Sequence, residues 1–323
     1  MSYVEILGSG AYVPSKILSN KDLEGIVDTS DEWIVTRTGI RERRIAVDEE
    51  TSDVASVAAK RALENSKVSK EEIDYIIVAT LSGETITPST ACMVQSKIGA
   101  INATAYDLNG ACSGFIYALI QGEALIKASK AKKVLVIGVE ILSKFVDWKD
   151  RNTCVLFGDG AGAVVLSEGD KGIITTYSKS FGDLGMCLTI GGTPLNNIFM
   201  EEPVKALDSS IHMEGGSVFK FATSAMVEAV EKVALDGGIT LDDIDIIIPH
   251  QANYRIIEYA SKKLKMDINK FFINLDKYGN TSSASVPIAL NEALEKGIIK
   301  TNMNVVMVAF GGGLTVGATL VKF

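Results

Sequence analysis

Short apolar runs and longer segments of helical period alternate along the whole chain. Glu72-Ile-Asp-Tyr-Ile-Ile-Val-Ala79, Lys133-Val-Leu-Val-Ile-Gly138, Asp243-Ile-Asp-Ile-Ile-Ile-Pro-His250 and Asn304-Val-Val-Met-Val-Ala309 each hold a compact Val/Ile/Leu-rich core. Runs of this kind suit strands covered on both faces, which need no polar alternation. Ser113 to Ala128 behaves differently. Phe115, Ile116, Ala118, Leu119, Ile120, Ala124, Leu125 and Ile126 leave almost no polar face, so the pattern predicts a helix in the middle of the core. Strands and helices in alternation predict an α/β fold.

The pattern also repeats. The strand ending at Ala79 recurs about 170 positions later as the one ending at His250, and self-similarity at a fixed offset fixes architecture. Gly110-Ala-Cys-Ser-Gly114 before its helix matches Gly279-Asn-Thr-Ser-Ser-Ala-Ser285 before Ile288 to Lys296. The strand at Lys133 matches that at Asn304, and Gly162 to Leu166 matches Gly317 to Val321 more loosely. Two fused halves follow, residues 1–170 and 171–323, divided at the polar, turn-rich Glu168-Gly-Asp-Lys-Gly172. Equivalent strand-to-helix turns from the two halves can converge on one site, because open α/β sheets bind ligands at strand carboxyl ends.

Composition narrows the class. With 323 residues, 47% hydrophobic and 22% charged, the chain has ample material for a core. The beginning, Met1-Ser-Tyr-Val-Glu-Ile-Leu, has no basic-then-apolar leader pattern, and no apolar run approaches the ~18 residues of a membrane span. A cytoplasmic protein with no membrane partner is expected. Cys92, Cys112, Cys154 and Cys187 lack CxxC or zinc spacing, which points to reduced thiols and no metal site. A net charge of -8 argues against general nucleic-acid binding.

Cys112 is the leading candidate for chemistry. It stands at a helix entry, where unpaired N–H groups and the helix dipole favour thiolate, and Gly110, Ala111, Ser113 and Gly114 leave room for a reactant. The competing reading is an ordinary core cysteine. His250, one of two histidines, is delivered by a buried strand and stiffened by Pro249. It is either a catalyst or a satisfied structural residue; the other, His212, has no such context and reads as structural. Asn280 in Gly-Asn-Thr fits an Asx turn or a cap. Gly311-Gly-Gly313 after a strand offers either an oxyanion-binding N–H or a tight turn.

Together these segments resemble a known family. Asn109-Gly-Ala-Cys-Ser-Gly114, Pro249-His-Gln-Ala-Asn253 and Gly279-Asn-Thr-Ser282 are similar to the Cys, His and Asn motifs of β-ketoacyl-acyl-carrier-protein synthase III, the initiating enzymes of type II fatty acid synthesis. Thr29-Ser-Asp-Glu-Trp-Ile34, Arg37-Thr-Gly-Ile40, Phe157-Gly-Asp-Gly-Ala-Gly162 and Ala309-Phe-Gly-Gly-Gly313 extend the likeness end to end. The resemblance implies the thiolase fold, a duplicated five-layer α/β/α/β/α architecture, usually as a homodimer. It implies an acyltransferase that condenses an acyl-CoA primer with malonyl-acyl carrier protein, with no cofactor beyond the CoA and phosphopantetheine that the substrates carry.

The resemblance also assigns roles. Cys112 carries the acyl group; His250 and Asn280 stabilise the enolate formed on CO2 loss; the N–H groups of Cys112 and Gly312 form the oxyanion hole. Trp33 and Arg151 flank the CoA adenine, Arg37 lies by its phosphates, and Asn253 lines the pantetheine channel. Arg255 and Lys220 dock the acidic carrier protein, with Lys262, Lys263 and Lys265 on the helix that follows. Thr87 stands where many relatives carry a phenylalanine beside the acyl pocket, and Leu314 and Val316 replace common aromatics; both departures bear on acyl preference. A related condensing enzyme of secondary metabolism would share the same three residues. Thiolases proper need a second cysteine, and hydroxymethylglutaryl-CoA synthases a glutamate, neither evident where Asn280 stands.

Overall fold

The computed structural model describes residues 3–202 and 204–323. The buried apolar runs form two sheets. The first contains Tyr3–Tyr12 (β1), Tyr75–Ala79 (β2), Thr104–Leu108 (β3), Lys133–Ile141 (β4) and Asp159–Gly169 (β5), in the order β1-β5-β4-β2-β3. The second contains Ile173–Ser180 (β6), Ile246–Pro249 (β7), Asn304–Gly311 (β8) and Thr315–Lys322 (β9), in the order β6-β9-β8-β7. The two orders superimpose, with β6 for β1, β9 for β5, β8 for β4 and β7 for β2. Even the missing fifth strand has a vestige, because Phe271 makes an isolated parallel bridge to Ile247 where β3 would lie.

The main helices are Asp31–Thr38 (α1), Thr51–Ser66 (α2), Thr90–Ile98 (α3), Gly114–Lys127 (α4), Gly215–Asp236 (α5), Tyr254–Leu264 (α6) and Ser285–Glu295 (α7). They stack with the sheets into five layers, and three apolar cores fill the spaces between. Val54, Ala58, Ile76, Val78, Val94, Leu135 and Ile137 seal α2 and α3 onto the outer face of the first sheet. The inner faces of both sheets enclose α4 and α7 through Ile77, Phe115, Ile116, Val136, Ile248, Leu290 and Met307. Met226, Val230, Val233, Ile257, Val306 and Leu320 seal α5 and α6 onto the second sheet. Ile76 and Ile77 thus face opposite cores, which is why these strands show no polar alternation. The α/β/α/β/α layering is the one that the resemblance implies. Among the described residues no helix is long and apolar enough to cross a membrane.

The repeat extends to backbone strain. Ala111 (φ 45°) and Ser282 (φ 47°) occupy matching positions before α4 and α7, both in the left-handed region that residues with a side chain rarely enter. Each opens a three-residue 3₁₀ turn, Ala111–Ser113 and Ser282–Ala284. Paired strain of this kind marks sites where geometry is held by its surroundings.

Candidate active site

Cys112 lies in the first of these turns, buried, between the ends of both sheets. Its own N–H and that of Gly312 favour the anionic sulfur, and Ser282 lines the same cavity as Cys112. The turn is braced from the second sheet, where Thr315 Oγ1 meets Ser113 Oγ at 3.1 Å and donates to Gly312 O at 3.0 Å. Burial pushes the thiol up to about 11, the opposite of the thiolate expected at a helix entry. The helix terminus contributes at most ~2 kcal/mol, whereas withdrawing an anion from water costs several kcal/mol. Sequence shows the helix entry and hides the desolvation.

Glycine is required beside the nucleophile. A Cβ on Gly311 would lie 2.6 Å from the Cys112 Cβ and 3.0 Å from its sulfur. Gly311→Ala is expected to displace the thiol and destabilise the fold by ~1–3 kcal/mol. A thermal melt and the rate of Cys112 alkylation check this together; unchanged values in both would contradict the packing described.

His250 follows β7 directly and its N–H donates to Val308 O at 2.7 Å. Its Nδ1 pairs with Ser285 Oγ at 2.6 Å, and the ring meets Phe310 edge-on at 5.3 Å. Nδ1 being taken, Nε2 is the ring nitrogen left for a reactant. Burial holds the imidazole down at about 3, so it is neutral. Asn280 is fixed through its backbone by Asn280 N–H to Leu156 O at 2.8 Å and Gly158 N–H to Asn280 O at 3.0 Å. Its Oδ1 accepts the Ser282 N–H at 2.8 Å. Because an N–H only donates, this bond fixes the amide flip and leaves Nδ2 as the free donor.

Cys112, His250 and Asn280 line one cavity of about 960 Å³. Trp33, Arg37, Asn253 and Arg255 line the same cavity. Two guanidiniums lie over the Trp33 ring, that of Arg37 at 4.7 Å and that of Arg151 at 4.8 Å from the centroid. Asn253 caps α6 by accepting from Arg255 N–H at 2.9 Å and donates to Arg37 O at 3.1 Å, tying α1 to α6. Arg255 lies over the Phe219 ring at 6.0 Å. Lys220 and Lys263 border a separate surface groove between α5 and α6, and Lys262 is paired with Glu258 at 3.0 Å. A second cavity of about 520 Å³ is also lined by Cys112 and is walled by Leu81, Leu142, Phe145, Leu188, Ile190 and Ile211.

Thr87 is not brought to this site. It stands on an exposed loop between β2 and α3 and lines neither cavity of its own chain. The apolar walls come instead from residues scattered between positions 81 and 211, which no local motif announces. His212, read as structural, is exposed and lines the larger cavity. Ser282, Ser285 and Glu140 also escaped the sequence reading. Of these only Glu140 carried a signal, a lone acid in an otherwise apolar strand. Among the described residues no cluster of three or more His, Cys, Asp or Glu side chains is arranged to hold a metal.

A buried cysteine between two N–H donors, facing a neutral histidine and an oriented asparagine at the junction of two duplicated α/β halves, defines a thiolase-fold condensing enzyme of the acyltransferase class. Among the described residues neither cavity is lined by a second cysteine or by a glutamate, as a thiolase proper or a hydroxymethylglutaryl-CoA synthase would require. Comparison with known proteins agrees. The family model 3-oxoacyl-[acyl-carrier-protein] synthase III matches residues 106–182, and its C-terminal counterpart matches residues 236–323. The β-ketoacyl-[acyl-carrier-protein] synthase III of Clostridium acetobutylicum is 54% identical over 100% of this chain and 99% of its own. The crystal structure of 3-oxoacyl-[acyl-carrier-protein] synthase III from Aquifex aeolicus superimposes with a TM-score of 0.92 at 47% identity, covering 99% of this chain and 100% of that one. That of the Thermus thermophilus enzyme gives 0.93 at 42%, covering 99% of each. The chain belongs to the β-ketoacyl-acyl-carrier-protein synthase III family.

Proposed function

We propose that this chain condenses an acyl-CoA primer with malonyl-acyl carrier protein, giving 3-oxoacyl-acyl carrier protein, CoA and CO2, and so starts fatty acid synthesis in the cytoplasm. The observation that carries the reading is the convergence of Cys112, neutral His250 and oriented Asn280 on one cavity. Cys112 Sγ attacks the acyl-CoA carbonyl while the N–H groups of Cys112 and Gly312 hold the oxyanion, and CoA leaves as its thiol. The malonyl thioester then binds with its carbonyl oxygen against His250 Nε2–H and Asn280 Nδ2. Ser285, donating to Nδ1, keeps the imidazole proton on Nε2. Loss of CO2 leaves an enolate stabilised by these two neutral donors, and its carbon attacks the acyl-Cys112 carbonyl. No cofactor is needed beyond the substrates' own carriers.

Trp33 and Arg151 present a stacking platform for adenine and Arg37 a cation for phosphate, with Asn253 along the pantetheine path. The second cavity, walled by aliphatic side chains and Phe145, suits the acyl chain. Reconstitution with malonyl-acyl carrier protein and acyl-CoAs from acetyl to dodecanoyl, read by mass spectrometry of the carrier protein, tests the whole reading. Absence of any 3-oxoacyl product would refute it. A homodimer accounts for bare apolar residues such as Ile86, Ile198 and Phe199, each at least 90% exposed.

Arg255, at the cavity mouth, and Lys220, Lys262 and Lys263 nearby would receive the acidic carrier protein. Attraction of this kind speeds encounter and weakens with salt. Arg255→Glu is expected to raise the apparent KM for malonyl-acyl carrier protein about tenfold at low salt, leaving acylation by acyl-CoA near wild type. Equal damage to both steps would remove Arg255 from the docking surface.

A further inference from the structure

Glu140 is a carboxyl group at the dry centre of the molecule to which the acyl-transfer steps assign nothing. It sits near the end of β4, fully buried, and no Lys or Arg pairs with it among the described residues. Neutral donors surround it instead. Oε2 accepts from Ser82 Oγ at 2.6 Å, Leu81 N–H at 3.2 Å and Thr80 Oγ1 at 3.3 Å. Oε1 accepts from Ser283 Oγ at 3.1 Å and Ser282 Oγ at 3.2 Å. Ser282 also lines one cavity with Cys112, and its N–H holds the Asn280 amide. One hydroxyl therefore stands between the cavity of the nucleophile and a buried acid.

We propose that Glu140 is a positioning residue and proton store for Cys112, exchanging the thiol proton with it through the Ser282 hydroxyl. The inference rests on the acylation of Cys112 proposed above. In the resting state Glu140 is a carboxylate, Ser282 O–H donates to it, and the thiol S–H points at the Ser282 oxygen. As an acyl-CoA binds, the thiol proton passes to Ser282 Oγ and the Ser282 proton passes to Glu140 Oε1. The thiolate forms its bond to the acyl carbon, the bond to the CoA sulfur breaks with its electron pair, and the CoA thiolate takes up the proton as Glu140 ionises again.

The exchange keeps one negative charge in the pocket throughout. Ionising Cys112 beside an ionised Glu140 would place two anions in a site that desolvates both, which is strongly unfavourable. Burial raises Glu140 to about 7, within reach of a proton at neutral pH. The charged groups that feel Glu140 are Cys112, on the turn before α4, and Lys144, after β4. Lys144 divides its attraction among Glu50, Glu84, Glu140 and Asp159.

The test is the rate of Cys112 acylation by acetyl-CoA, quenched on the millisecond scale and read by intact mass across a pH series. Wild type, Glu140→Gln and Ser282→Ala are compared at saturating acetyl-CoA. Wild-type acylation should fall as pH drops below about 7, because a protonated Glu140 cannot accept. Glu140→Gln and Ser282→Ala should each acylate on the order of 100-fold more slowly and lose that pH limb, with KM for acetyl-CoA preserved. Simple charge repulsion predicts the opposite sign, since removing the carboxylate would ease thiol ionisation. Acylation at or above the wild-type rate in the variants, or slow acylation that keeps the limb, overturns the proposal. Ser282→Ala decides alone if Glu140→Gln does not fold, since Ala111 holds the same backbone conformation. A wild-type protein that never acylates strikes the acyl-transfer reading itself.

Discussion

Cys112→Ala is expected to abolish acyl-enzyme formation. The other thiols are poor substitutes. Cys154 is buried and pushed up to about 11, Cys187 is also buried and raised, and Cys92 is exposed on α3; none of them lines either cavity. Cys112, by contrast, has its own N–H and that of Gly312 favouring the anionic sulfur. Removing a covalent nucleophile from a working constellation costs on the order of a millionfold in turnover, so condensation should disappear into background. Decarboxylation of malonyl-acyl carrier protein should survive, because His250 and Asn280 remain in place. Intact-mass spectrometry after acyl-CoA addition should show one adduct in the wild type and none in the variant. An adduct on Cys112→Ala would assign the nucleophile elsewhere.

His250→Ala and Asn280→Ala should show the complementary defect. Each removes one neutral donor from the developing enolate, a loss of about 3 kcal/mol or ~10²–10³ in rate by analogy with oxyanion-hole deletions. Self-acylation of Cys112 should change far less, because its oxyanion is held by backbone N–H groups. The pH profile supplies an independent check. Burial lowers the His250 pKa to about 3, so the ring is neutral above that value and becomes imidazolium only below it. Decarboxylation by the wild type should therefore show no histidine limb between about pH 5 and 8, where an ordinary histidine titrates. Variants that decarboxylate normally yet fail to acylate would invert the assignment.

Much of this arrangement is legible in the sequence because the chain is duplicated. Doubly buried strands have no choice but to be apolar, so the Ile76 and Ile247 runs mark equivalent strands without any structure. Their common offset then places Cys112 and Asn280 on matching turns and His250 at the end of the strand that repeats the one ending at Ala79. Two things are not legible. The protonation state of Cys112 depends on how much water the finished fold removes, which no local pattern reports. The acyl cavity depends on side chains from distant segments, so the single position Thr87 does not reveal which residues of its own chain wall it. Ser282 shows the same limit, since its value comes from what it touches on either side.

Gly311 and Glu140 are counterparts across the repeat, the first at the end of β8 and the second near the end of β4. The pairings Val78 with Ile137 and Pro249 with Val308 fix that equivalence. Each reaches across to the other half's turn, Gly311 against Cys112 and Glu140 against Ser282 and Ser283. Their tolerances are opposite: nothing larger than hydrogen fits at the first, and nothing smaller than an acid satisfies the donors at the second. A symmetric pair of identical half-length chains would carry one residue type at both places, and neither glycine nor glutamate serves both. Fusion into a single chain is what lets the two positions be inherited separately, one copy keeping space for the nucleophile and the other its support.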